Sequence, residues 1–163
     1  MRILGWRSDW PYFFETEAGN AVTVKGVRYR NMITEFLWPQ LDGMDMEDML
    51  FQKGGATCHT TRKTTELLRE NFFGRIISRN GDQNWPPRSC DLTPCDFLLW
   101  EFVKSRVCAN KPQTIPELKV EIQRVIGKIE PQLCRNVIES FVKRSRVCQQ
   151  SRGGHVLDIV FHS

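Results

Sequence analysis

The residue best placed for chemistry in this sequence is Asp96, within the stretch NWPPRSCDLTPCDFLLWEFV from Asn84 to Val103. Thr93 is a good helix N-cap, Pro94 then falls at the first helical position, and Asp96 falls at the third. A carboxylate there accepts hydrogen bonds from free amides and suits the positive end of the helix dipole. From Phe97 through Leu98, Leu99, Trp100, Phe102 and Val103 the sequence turns apolar, which predicts a well-buried helix. The approach through Pro86, Pro87 and Arg88 reads as extended and exposed. A carboxylate at the mouth of a buried helix, behind a rigid basic loop, is placed to hold a metal. The plainer role is a helix cap, and these residues alone leave both open.

Other groups are less specific. Six cysteines stand at 58, 90, 95, 108, 134 and 148, with no C-x-x-C pair among them. Cys58 and His59 with Cys90 and Cys95 would supply four zinc ligands, but structural zinc sites normally use tighter paired spacings. Neither a disulfide framework nor a zinc site is favoured, and reduced intracellular thiols are expected. The acids Asp45, Glu47 and Asp48 form a short exposed cluster. Net charge is +4, too mild to diagnose a partner, but its distribution says more. No acid occurs between Glu139 and Asp158, while Lys143, Arg144, Arg146 and Arg152 are all present. A second basic group is Arg62, Lys63, Arg69, Arg75 and Arg79, with Glu66 and Glu70 interleaved. Such faces are usually solvated, and nucleic-acid contact is the sharper alternative.

A length of 163 residues allows one domain with a real core. With 40% hydrophobic and 26% charged residues the chain has the balance of a soluble globular protein, and no apolar run reaches membrane-span length. The opening MRILGWRSDWPYFF lacks the continuous apolar core of a signal peptide. Residues 11–15 and 21–24 are strand-rich around a turn at Glu17–Asn20, a predicted hairpin. A helix is predicted over 27–41, with Tyr29, Met32, Ile33, Phe36, Leu37 and Leu41 near one face. Met49–Lys53 reads as a strand, 61–72 as a helix closed by Gly74, and 75–78 as a strand before an Asn80-Gly81 turn. Thr114 and Glu117 form a capping box for a helix carrying Leu118, Ile122, Val125, Ile126 and Ile129. Pro131 breaks it, and a last helix follows with Leu133, Val137, Phe141 and Val142, expected to pair with the one before. Residues 156–161 read as a short edge strand. The order argues for a mixed α/β domain.

Two stretches add a resemblance. FQKGGATCHTTRKTTELLRENFFGRIISRNGD at Phe51–Asp82, followed by WPPRSCDLTPCDFLLW at Trp85–Trp100, resembles the C-terminal two thirds of a mariner-superfamily transposase catalytic domain, of the kind common in insect genomes. The likeness runs from PYFFE at 11–15 to GGHVLDIVFH at 153–162, and its most specific part is the P-x-S-x-D-L-x-P-x-D pattern ending at Asp96, here shifted by one Pro.

The resemblance implies a truncated ribonuclease H-like α/β fold over the whole chain, with a sheet-and-helix core at about 10–110 and a C-terminal helix pair at about 114–150. It implies three carboxylates holding two Mg2+ or Mn2+ ions that cut and join DNA, a nuclear location and a homodimer. Two such ions about 4 Å apart activate the attacking oxygen and stabilise the leaving one, and hard cations call for carboxylate oxygens. The third acid corresponds to Asp96, and Asp91 is assigned to loop structure. The second acid falls where relatives read F-Q-x-D-G-A-T-C-H, and this chain has Gly54. The first is expected upstream of residue 10; Asp9 is not at its position, and the family's DNA-recognition region is likewise expected upstream.

A degenerate fragment follows, binding DNA weakly and non-specifically without catalysis or bound metal. Arg88, Arg62, Lys63, Lys143, Arg144 and Arg146 are its candidate contacts. The alternatives are a domesticated DNA- or protein-binding module using the basic stretch Arg135–Arg152, and a nuclease built on Asp96 with Asp45, Glu47 or Asp48. Lys53 is expected to repel a cation from the vacant position, and Cys108 and the pair Phe72-Phe73 to disturb the packing.

Overall fold

The computed structural model describes residues 11–85, 92–94, 96 and 100–150. The described residues fall into two compact units, one of residues 12–85 and one of Pro11 with the residues from 92 onward. Together they mix helices with a small parallel sheet, as an α/β reading expects.

The first unit opens on a loop where the predicted hairpin is reduced to one antiparallel bridge, Glu15 to Ala21. Val22 N–H still donates to the Phe14 carbonyl at 3.0 Å, and Gly19 takes the positive φ of 77° that its turn needs. Helix α1 (Gly26–Asn31) runs on through a π-helical segment, Met32–Leu37, into α2 (Trp38–Leu41). Tyr29, Ile33, Leu37 and Leu41 are buried at intervals of four, which suits the wider turn. Pro39 lies just beyond that segment, where a regular helix would set its ring against the carbonyl four residues earlier. The wide turn relieves that clash.

Strand β1 (Phe51–Gln52) follows, then a single turn α3 (Thr57–Thr60), helix α4 (Arg62–Phe72) and strands β2 (Ile76–Ser78) and β3 (Gln83–Asn84). Thr61 caps α4, its Oγ1 accepting from the Thr64 amide at 3.3 Å. The sheet order is β1-β2-β3, parallel throughout, with Phe51 opposite Ile76 and Ile77 opposite Gln83. Parallel strands normally need a long crossover, yet four residues join β2 to β3. The Ser78 carbonyl makes this feasible by accepting from both Gly81 N–H (3.2 Å) and Trp85 N–H (3.1 Å). Neither α3 nor β3 is visible in the residue pattern. The core gathers on Phe72, whose ring meets those of Phe51 and Trp38 at 5.1 and 6.1 Å between centroids. Burying a side chain of that size contributes about 1.5–3 kcal/mol. Its neighbour Phe73 is 80% exposed, so only one of the two aromatic residues enters the core.

The second unit holds α5 (Glu101–Ala109), α6 (Ile115–Ile126) and α7 (Pro131–Gln150). The capping box forms: Glu117 N–H donates to Thr114 Oγ1 at 3.3 Å, and the Glu117 carboxylate accepts from Gln113 N–H at 2.8 Å. The buried cluster of this unit joins Val103 and Val107 of α5 to Val125 and Ile126 of α6, with Phe102, Leu118, Ile122 and Ile129 packed around it. The expected partner of α6 was α7; the apolar faces of α5 and α6 close on each other instead. Trp100 is 65% exposed, so burial of the Asp96 helix does not extend to it, and exposed Cys108 leaves no gap in the core. No described helix is long and apolar enough to cross a membrane. The expected strand at 156–161 lies outside the described residues.

Candidate functional site

Gly54 is the first residue past the β1 ladder, which Lys53 N–H ends by donating to the Ile77 carbonyl at 3.1 Å. A Cβ placed on Gly54 would meet only His59 Nδ1, at 3.9 Å. His59, on α3, lies against the Tyr29 ring with centroids 4.3 Å apart. Its Nδ1 is buried and has no hydrogen-bond partner among the described residues. Burial pushes the imidazole below its ordinary pKa; the Gly54 main chain opposes this and the charge of Lys53 reinforces it. The ring is therefore neutral at pH 7. Burial also pushes the Tyr29 hydroxyl up to about 12, with Cys58 adding to the shift.

Lys53 departs from expectation. Its side chain turns inward and is only 5% exposed. Its Nζ donates to the His59 carbonyl at 2.8 Å and to Thr65 Oγ1 at 2.9 Å. Burial, then repulsion from Arg69, lowers its pKa to about 8, against a smaller opposing pull from Asp82. It acts as a buried tie between β1, α3 and α4, not as an open cation in the vacancy.

These residues do not fit a hard divalent cation. Gly54 offers a main-chain oxygen alone, and the group it faces is a neutral imidazole, whereas such ions take carboxylate and other oxygen ligands. Among the described residues no three of His, Cys, Asp and Glu lie close enough to share a metal. Asp45 uses Oδ1 to accept from Glu47 N–H at 3.1 Å, and Asp45, Glu47 and Asp48 are all exposed. Asp96 lies in the second unit on helical backbone, its N–H donating to the Thr93 carbonyl at 2.9 Å and its side chain exposed. Arg88, Cys90, Asp91, Cys95, Asp9 and Arg152 lie outside the described residues.

The candidate basic contacts divide. Lys63, Lys143 and Arg146 are exposed. Arg62 is exposed but paired with Glu66 at 2.7 Å. Arg144 is 5% exposed, against the expectation of an open cation: it falls seven residues after buried Val137 on the inward stripe of α7. Arg69 grips Asp82 Oδ1 through Nε (3.0 Å) and Nη2 (2.8 Å). Burial raises the Asp82 pKa, but the Arg69 bonds, the Ile76 amide and the Arg69 charge outweigh it and hold the carboxyl below its ordinary value. Arg75 donates to the carbonyls of Met46, Glu47 (3.0 Å), Met49 (3.3 Å) and Asn71 (2.8 Å), so it holds the loop before β1.

A cationic cleft between α5 and α6 escaped the sequence reading. It encloses about 470 Å³ and carries Arg106, Arg124 and Lys128 beside Phe102 and Asn110. Attention to acid-free runs overlooks it, because Glu117, Glu121 and Glu130 are interspersed with these cations. The chain matches no protein-family model and no curated protein sequence.

Proposed function

We propose that the chain is a mariner-like, transposon-derived fragment of a ribonuclease H-like domain that binds DNA and does not cut it. The observation that carries this reading is Gly54. It follows β1 and precedes α3, at the position where the resemblance calls for the second acid, and it carries no side chain to hold a metal. Loss of even a group that orients a metal ligand costs about tenfold to a hundredfold, and loss of the ligand itself costs more. Exposed Lys63, Lys143 and Arg146 support contact with phosphates.

The test is plasmid nicking with Mg2+ or Mn2+, run beside DNA binding at rising salt. No cleavage is expected, with binding that weakens steeply as salt rises. Cleavage that Asp96→Ala abolishes would overturn the reading. Binding that keeps a preferred sequence or protein partner at moderate salt would favour a domesticated module instead.

A further inference from the structure

We infer that the α5–α6 cleft is a docking site for the phosphate backbone of duplex DNA, with Arg106 and Lys128 as its phosphate contacts. This adds a second contact surface to the DNA binding proposed above, rests on that reading for the choice of DNA, and lies outside both the acid-free run and the surroundings of Gly54.

The cations of the cleft differ in what they already hold. Arg124 donates through Nε to Glu121 Oε2 at 2.8 Å and through Nη2 to Oε1, and Asn110 Nδ2 donates to Oε1 as well. Those bonds, the Arg124 contribution first, hold the Glu121 carboxyl down to about 2 against the effect of burial, and the Arg124 and Lys128 charges add to the shift. The hydrogen bonds of Glu121 are thus taken by Arg124 and Asn110, while Lys128 feels its charge without bonding to it. Arg106 and Lys128 have exposed side chains and no ion pair or side-chain hydrogen bond among the described residues. The Arg106 guanidinium carbon lies over the Phe102 ring, 3.5 Å from its centroid. Stacking holds the guanidinium plane in place while leaving its N–H edges unspent.

The cleft therefore keeps a surplus of positive charge, with one pre-oriented planar donor and one flexible ammonium at its rim. Two charge-bearing contacts of this kind suit backbone phosphates. The same stacking points to backbone contact over base contact. Arg106 covers the Phe102 face, so the cleft's own aromatic ring is closed to an unpaired base, the platform on which single-strand binders rely.

The experiment measures binding of the full chain to a fluorescent duplex across a salt series, for the wild type, Arg106→Gln, Lys128→Gln and the pair. Lys25→Gln, an exposed cation in the first unit, is the matched-charge control. Glutamine keeps much of each stem, and thermal unfolding of every variant checks folding; exposed Lys128 supplies the test should the Arg106 variant lose its stack. The slope of log affinity against log salt should shrink by about 0.9 for each change and about 1.8 for the pair. Lys25→Gln should leave it unchanged. Binding with an unchanged slope in folded Lys128→Gln, an equal loss in Lys25→Gln, equal competition by polyglutamate, or tighter binding to the single strand would overturn this site while leaving the wider reading standing. No binding to any duplex would overturn both.

Discussion

The Lys53 ammonium donates to the main-chain oxygen of His59 at 2.8 Å, so the residue before Gly54 is tied to the turn that Gly54 faces. A single buried cation thus fixes the spacing between the end of β1 and α3. Because its folded pKa of about 8 lies below the ordinary 10.5, the unfolded chain binds more protons between those values, and stability rises with pH across that window. Lys53→Met should remove that rise. Urea unfolding of both proteins from pH 7 to 10 should show the wild type gaining on the variant as pH increases; parallel curves would mean that Lys53 is solvated.

His59 titrates on the acid side. Its depressed pKa means that the unfolded chain takes up a proton first as pH falls below about 6.5, so stability is lost there. Gly54→Asp fits without a clash, since the new Cβ meets only His59 Nδ1 at 3.9 Å. Its carboxylate should raise the His59 pKa, read as an upward shift of the imidazole titration by NMR, and weaken the acid-side loss. Metal-dependent cleavage should remain absent in this variant. If it appeared, the resemblance-based placement of the first acid would be wrong.

Gly81 has no room for a side chain. A Cβ there would lie 2.5 Å from the Ile76 carbonyl and 2.8 Å from Ser78 Oγ, both on fully buried residues of β2. Gly81→Ala should destabilise the protein by about 1–3 kcal/mol, measured by chemical denaturation. Gly55→Ala, where nothing lies within 4 Å, is the comparison that should cost much less.

Asp82 closes the same turn, binding Arg69 with Oδ1 and the Ile76 amide with Oδ2 at 3.3 Å. Its pKa is held down in the folded protein, so its contribution is present above the ordinary carboxylate range and lost as pH falls through the folded value. Asp82→Asn should cost about 0.5–1.5 kcal/mol at pH 7. The difference from wild type should shrink toward pH 3 in urea melts. A pH-independent difference would point to packing in place of charge.

Local signals in the sequence were sufficient wherever a side chain acts on its own backbone. Thr61 and Thr114 mark their helix starts, Gly74 takes the left-handed φ of 73° after α4, and the spacing of Tyr29, Ile33, Leu37 and Leu41 marks a buried helical face. What the pattern could not carry was partnership. The apolar stripe of α6 says that it is buried, not that α5 rather than α7 buries it. β3 depends on two amides converging on the Ser78 carbonyl, a geometry without a residue signature. At the candidate site, the Gly54-Gly55 turn was legible, but the inward turn of Lys53 was not, because a lysine beside two glycines reads as solvated. Arg144 misled for the opposite reason: charge suggested the surface, and helical phase put it inside.

Arg75 reaches main-chain oxygens at Met46, Glu47, Met49 and Asn71, and none of those acceptors depends on which side chain is attached. The loop before β1 can therefore change its residues freely and keep its path, provided that the arginine persists. The exposed acids Asp45, Glu47 and Asp48 should tolerate replacement, while Arg75 should not. One side chain sets the course of a whole loop by reading only its backbone.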